Sequence, residues 1–355
     1  MDGSITSFSS FDSKKQYNTI ERAYVHVKVN RARWVPVPDG QSASQLVTGS
    51  YSELNNSLDL WTCPRGKHDE GAPRAVCTVQ VSGDVTELKF VDPQTFLAST
   101  GKGDLLLFKV KEEQLEEIQK WDTTQMLCDA DSFTGFDVAD GVVALATTDG
   151  QIVCFPYADS SNAPSNMIKP GKDGVKAVSF IRHHEIALGN LRGQISIWDL
   201  RENIFAPAIT FPYNADSAIG VTRLSPFPLQ KHILVASGCD GTIATWDLRN
   251  VTNSQTIYAA HSKLVSDLRF HDMRPGNLFT CSFAGDVWHW NNFDELLGAS
   301  TSTSQSFSVG AQKPNVLCLL PEKKFPVNSI DVCGDTLVSA CDNDLLVFIK
   351  SLKLK

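Results

Sequence analysis

An apolar run, a tight turn and a short strand ending in an aromatic residue follow one another along this chain, and the pattern then starts again. The closing aromatics are Trp61, Phe108, Phe155, Trp198, Trp246, Trp290 and Phe348. They stand 47, 47, 43, 48, 44 and 58 residues apart, close to the length of one four-stranded blade. Five residues before the aromatic is a glycine in five units, Gly103, Gly150, Gly193, Gly241 and Gly285, and an asparagine in two, Asn56 and Asn343. A two-residue hairpin turn needs positive φ, which Gly adopts freely and Asn tolerates better than most residues. Asp149-Gly150, Asp240-Gly241 and Asp342-Asn343 therefore read as hairpin turns.

Each unit also has an inner strand upstream: 85–90 (VTELKF), 133–138, 175–180, 219–224, 264–270 and 327–332, with 29–38 in the first unit. Their alternation or apolar density suits strands near the axis of a ring. One such unit cannot bury its faces alone, so the core must lie between units, with the aromatics filling much of it. Two units end on a known signature, Ile197-Trp198-Asp199-Leu200-Arg201 and Thr245-Trp246-Asp247-Leu248-Arg249. His261 stands where a third unit would carry its Gly-His element, while Ala284 replaces the acidic residue expected before Gly285. Units without that buried polar network must rely on apolar packing. The fold class is all-β, a seven-bladed WD-repeat β-propeller.

The chain ends seven residues after Phe348, too soon for another strand. Residues 21–29 (ERAYVHVKV) alternate apolar and polar, and are expected to close the ring by pairing with the last blade. Closure removes an open sheet edge that would invite aggregation. The predicted organisation is a disordered, Ser-rich polar tail over 1–20 and a single propeller over 21–355. A Ser/Thr-rich loop insertion at 299–325 explains the long last interval, and 158–174 is a second long loop.

The formal net charge of −8 and pI near 5.5 argue against direct nucleic-acid binding. Lys and Arg are scattered, densest at Lys14-Lys15, Lys323-Lys324 and the tail Lys350, Lys353, Lys355, and form no nuclear-localisation cluster. Nine cysteines without a CxxC pair, several inside apolar strands, suit a reduced intracellular compartment. The first residues do not resemble a signal peptide, and no apolar run is long enough to span a bilayer. No nucleophile elbow, phosphate loop or HExxH helix is present. Gly101-Lys102-Gly103 leads into a strand and reads as a turn; His183-His184-Glu185 has no ligand-spaced partner and reads as a loop. No residue is assigned to catalysis, a cofactor, a metal or a small-molecule substrate, and the expectation is a non-enzymatic binding scaffold.

Over roughly 21–355 the chain resembles the nucleoporin 43 family, small WD-repeat propellers of the Y-shaped scaffold complex of the nuclear pore. The resemblance rests on Arg33-Trp34-Val35-Pro36-Val37-Pro38 followed by Thr48-Gly49-Ser50, and on Phe279-Thr280-Cys281-Ser282 followed by Gly285-Asp286-Val287-Trp288-His289-Trp290. It rests also on Val327-Asn328-Ser329-Ile330-Asp331-Val332 with a Ser/Thr-rich insertion before it. The polar tail and Ala284 depart from the family pattern. The resemblance implies a structural role in the outer rings of the pore, at the nuclear envelope, bound to a neighbouring scaffold nucleoporin. It further implies support of mRNA export and protein transport, and presence at kinetochores in dividing animal cells.

A second reading starts from the Trp-Asp-x-Arg boxes at 198–201 and 246–249, which resemble those that substrate receptors of cullin-type ubiquitin ligases use to dock their adaptor. On that reading Arg201 and Arg249 would be the docking residues, although Trp and Asp already have structural duties in a WD blade.

Overall fold

The computed structural model describes residues 6–7, 19–38, 43–64, 73–122, 133–158, 166–171, 173–201, 205–214, 217–251, 257–295, 315–321 and 325–354. The 299–325 insertion lies mostly outside them, as does most of the 1–20 tail. Within them seven antiparallel four-stranded sheets, blades 1 to 7, succeed one another along the chain. Their first strands are Val29–Trp34, Val85–Phe90, Phe133–Ala139, Val175–Arg182, Val221–Phe227, Val265–Phe270 and Val327–Cys333. Each lies against the first strand of the next blade, and the seventh lies against the first. The all-β, seven-bladed propeller expected from the repeat is the fold observed. The blade 5 sheet carries a two-residue addition, Thr6–Ser7, parallel to Ile257–Ala259.

Blade 7 is completed by Thr19–Tyr24, which pairs antiparallel with Leu345–Lys350 from Thr19–Lys350 to Tyr24–Leu345. The Val25 N–H donates to the Asp344 carbonyl at 2.8 Å, and residues 26–28 then lead to blade 1. The closing strand thus starts and stops earlier than the 21–29 read from alternation. The reason is that Val25, Val27 and Val29 all pack into one cluster between blades 7 and 1. A period of two runs on through the link and cannot mark where pairing ends.

All seven closing aromatics are buried on third strands. Seven apolar clusters fill the structure, one at each blade interface. Six aromatics, Trp61 to Trp290, face the preceding blade. Phe348 does not: it faces blade 1, with its ring 5.9 Å from that of Trp34. Ile349 takes the aromatic's place against blade 6. The turn explains this. Positive φ occurs at Gly103, Gly150, Gly193, Gly241 and Gly285, but in blade 7 it falls on Asp344 (φ 60), one residue after Asn343. A one-residue shift turns every side chain of a strand to its other face. In blade 1 the left-handed residue is Ser52, and Asn56 already opens the third strand.

The turn glycines are required twice over at Gly241. Its φ is +90°, and a Cβ there would lie 2.2 Å from the His261 carbonyl oxygen, on the link into blade 6. Asp240 caps the same turn, its Oδ1 accepting from the Thr242 N–H at 3.0 Å.

Every first strand carries a β-bulge at the same register, immediately after its opening residue. The bulge residues are Asn30, Thr86, Thr134, Lys176, Thr222, Ser266 and Asn328. Four reach to the next blade, where Asn30, Thr134, Ser266 and Asn328 donate to the carbonyls of Val85, Val175, Val327 and Val29. The bulge thereby serves a purpose that the ladder cannot, because first strands of neighbouring blades do not pair.

Deleting residues 1–18, which leaves the closing strand whole, is expected to move the melting temperature by no more than about 2 °C. Deleting 1–28 removes the six-residue strand together with Ala23 and Val25 of the core, and is expected to lower it by roughly 10 °C or more and to cause aggregation. Equal melting curves for the two truncations would overturn the closure. Separately, Trp246→Ala is expected to cost about 3–5 kcal/mol in urea unfolding, as for other large buried aromatics.

Candidate functional site

Among the described residues no cluster has catalytic geometry, so the chemistry is sought where polar groups are held. The residue two positions beyond each bulged strand's first residue holds one common register near the axis: Arg31, Glu87, Gly135, Ala177, Arg223, Asp267 and Ser329. Glu87 of blade 2 meets Arg33 at 3.0 Å, Arg31 at 3.2 Å and, from blade 5 across the axis, Arg223 at 2.7 Å. Asp267 of blade 6 meets Arg33 at 3.2 Å and Arg223 at 3.6 Å. Burial alone would raise the Glu87 and Asp267 carboxyls. The guanidinium groups around them outweigh it and hold both below the usual carboxylate range, Glu87 far below.

Arg33 is the hub of this network. Its side chain also donates to the carbonyls of Leu88 in blade 2 and Ile330 in blade 7, at 3.2 and 3.1 Å. Asp331 of blade 7 accepts from the Trp34 N–H at 2.7 Å, and Asp137 of blade 3 accepts from the Phe180 N–H of blade 4 at 2.7 Å. The axis is crossed by ion pairs and backbone bonds, which fixes the blades relative to one another.

Blade 6 holds a second polar network. Trp290 Nε1–H donates to Thr280 Oγ1 at 3.0 Å; Thr280 and His261 Nε2 are 2.9 Å apart; His261 Nδ1 and Asp286 Oδ1 are 3.0 Å apart. With the Nδ1–H donating to Asp286, Nε2 is left to accept the Thr280 hydroxyl. Asp286 also accepts from Ser282 Oγ and, at 2.9 Å, from Trp288 Nε1. Burial alone would raise the Asp286 carboxyl, but the bonds from His261, Ser282 and Trp288 hold it well below the usual range. The acidic residue missing at Ala284 is thus supplied from the other side of Gly285. Sequence reading missed this, although a Thr ten residues before Trp290 and an Asp beside the turn were both visible. In the Trp288-His289-Trp290 segment, burial brings His289 down to about 4, and its Nε2–H donates to Asn277 Oδ1 at 2.9 Å.

The two arginines of the second reading each pair with an aspartate of their own turn. Arg201 forks onto Asp199 at 3.0 and 2.7 Å, and Arg249 onto Asp247 at 2.9 and 2.5 Å. Asp199 is held to about 2, chiefly by the hydrogen bonds from Arg201. Each arginine is exposed, yet its guanidinium already has a carboxylate in its own turn. His183, of the His183-His184-Glu185 triplet, pairs with Asp140 at the surface. Among the described residues no group of three metal-binding side chains exists.

The two faces of the ring carry the remaining candidate surfaces. Leu54, Leu191, Phe283 and Phe325 are exposed at the turns and links of one face, Leu229 and Met273 at the other. Within either face they stand on different blades, as single apolar residues commonly do. The opening segment of blade 1 divides in function: Arg33 and Trp34 turn inward, whereas Pro36 and Pro38 are exposed. These prolines border a groove of about 320 Å³ between blades 1 and 2, lined also by Val37, Gln45, Pro93 and Gln94.

No protein-family model matches the chain. It is 27% identical to Nucleoporin Nup43 of Homo sapiens, across 93% of this chain and 98% of that protein, and equally so to Nucleoporin Nup43 of Mus musculus. Against Nuclear pore complex protein nup43 of Dictyostelium discoideum it is 23% identical, over 60% of this chain and 50% of that protein. The resemblance read from a few segments therefore extends along nearly the whole chain.

Arg33→Met leaves Glu87 and Asp267 buried with one fewer cation, and is expected to cost about 3–5 kcal/mol. Denaturant unfolding checks this, and a loss under about 1 kcal/mol, the value of a surface pair, would show that Arg33 is not the hub.

Proposed function

We propose that the chain is a nucleoporin 43, a structural scaffold subunit of the nuclear pore complex that binds a neighbouring nucleoporin in the Y-shaped complex of the outer rings. The observation that carries this is the extent of the likeness, which covers 93% of this chain and 98% of the human protein. The rigid ring supports the reading, since a propeller presents turns and blade edges with little shape change. On this reading its part in mRNA export and protein transport is indirect, through protein neighbours. The net charge of −8 favours such contacts over RNA. In dividing cells the same subunit would travel with its complex to kinetochores.

The ubiquitin-ligase reading draws less support, because each candidate arginine is neutralised within its own turn. A tagged copy is expected to mark the nuclear rim and to co-purify with large scaffold nucleoporins after nuclease treatment. Arg201→Ala combined with Arg249→Ala should leave both the fold and that association intact. Diffuse fluorescence with no nucleoporins in the purified material would overturn the proposal. Loss of a cullin adaptor from the double variant alone would replace it with the ligase reading.

A further inference from the structure

The axial network has more cations than it can pair. Across the bulge, axial and next inward positions of the seven first strands there are six cations, Arg31, Arg33, Lys89, Lys176, Arg223 and Arg269. Four carboxylates, Glu87, Asp137, Asp267 and Asp331, face them. Lys89 is taken by Asp137. This happens inside a chain of net charge −8.

The surplus is concentrated at one end of the axis, where the first strands begin. Six of the seven bulge residues have their polar atoms engaged, Thr86 and Thr222 with Ser99 and Ser237 and the rest as described. Lys176 is the exception, with no hydrogen bond or ion pair among the described residues. Its side chain reaches solvent, yet partial desolvation, then Arg223 and Arg31, bring it down to about 8. Burial and Arg223 likewise bring Arg31 to about 10, and the buried Arg31 Nε–H has no hydrogen-bond acceptor, because Glu87 lies 3.2 Å away in poor alignment. Three cations thus share Glu87.

There is also room. At the axial register blade 3 contributes Gly135, where other blades send Arg31, Glu87, Arg223 and Asp267 inward; Ala177 of blade 4 is also small, but packs in the apolar cluster between blades 4 and 5. A Cβ built on Gly135 would meet nothing within 4 Å. The open position adjoins the start of blade 4, where Thr134 donates to the carbonyl of Val175, the residue before Lys176.

We propose that this end of the axis is a binding site for a small phosphate-class oxyanion, seated over Gly135 and held by Lys176, Arg31 and Arg223. A tetrahedral oxyanion offers several acceptors to guanidinium and ammonium donors at once, which one carboxylate cannot. It would neutralise the surplus and take up the idle Arg31 donor. The site is independent of the scaffold reading.

The test is calorimetric titration of the full chain with inorganic phosphate and, in a second arm, glycerol phosphate. Saturable binding of one phosphate per chain is expected, weakened about tenfold or more by Lys176→Met, the loss of one charge-assisted bond. Gly135→Leu, which fills the seat, should abolish it. In phosphate-free buffer Lys176→Met should melt no lower than the native chain, because it removes an unpaired charge. If glycerol phosphate binds as well, the seat accepts a phosphate monoester; if only inorganic phosphate binds, it is closed around the free ion. Absence of saturable binding, or equal binding by the native chain and Lys176→Met, would overturn the proposal. Should Gly135→Leu fail to fold, Lys176→Met decides alone.

Discussion

A ring of sheets must satisfy the hydrogen-bonding groups on the inner edge of each first strand, and in this chain that requirement converges on Arg33. Neighbouring first strands touch without forming a ladder, so their edge groups would be buried unpaired, each at a cost of about 1–3 kcal/mol. Two devices prevent this. The repeated bulge turns a short polar side chain onto the next blade's carbonyl. Arg33, Asp137, Asp267 and Asp331 reach across interfaces to the groups that remain. Once these ions are inside they must neutralise one another, because a buried charge without a partner is far more costly than the bond it replaces. The cross-axis pair Arg223–Glu87 follows from that need.

This constraint also separates framework from surface. Apart from the surplus cations where the first strands begin, the polar groups at the axis and in the blade 6 network are consumed in holding the ring. The arginines at the rim are neutralised by their own turns. What is left for partners is shape: exposed turns, single apolar side chains on several blades, and the groove beside Pro36 and Pro38. Such a surface suits a subunit that occupies a fixed place among protein neighbours, and offers no positioned nucleophile or base among the described residues.

The blades were legible because turn chemistry and apolar periodicity are local. A Gly five residues before an aromatic places the second hairpin of a blade without knowledge of its neighbours. The misplacements have one cause, which is that register depends on contacts the local pattern does not contain. Residues 21–29 alternate correctly but pair only in part, because the link beyond Tyr24 shares their core. Asn343 sits in its turn, but Asp344 bears the left-handed conformation, so Phe348 and Ile349 exchange faces. The axial network was hidden for a different reason. Arg31, Glu87 and Asp267 read as the polar half of an alternating strand, and only alignment of all seven first strands shows that this half also points inward.

The division between apolar fill and polar fixtures explains why the fold can persist at 27% identity to its human relative. A blade interface needs side chains of suitable total volume, and Trp, Phe or Ile can close it with rearrangement of the others; here Ile349 does what Trp290 does one blade earlier. A polar fixture allows no such exchange, since removing one member strands its partners. The three segments that carry the resemblance are made of fixtures. Arg33 binds Glu87 and Asp267, and the Trp34 N–H binds Asp331. In the last first strand Asn328 donates to the Val29 carbonyl, and Ser329 accepts from the Ala32 N–H. In blade 6, Thr280, Ser282, Asp286, Trp288, His289 and Trp290 each hold another polar group. Likeness to relatives should therefore be densest where side chains hold hydrogen bonds across blades, and thinnest along the apolar second strands, whose only duty is to fill space.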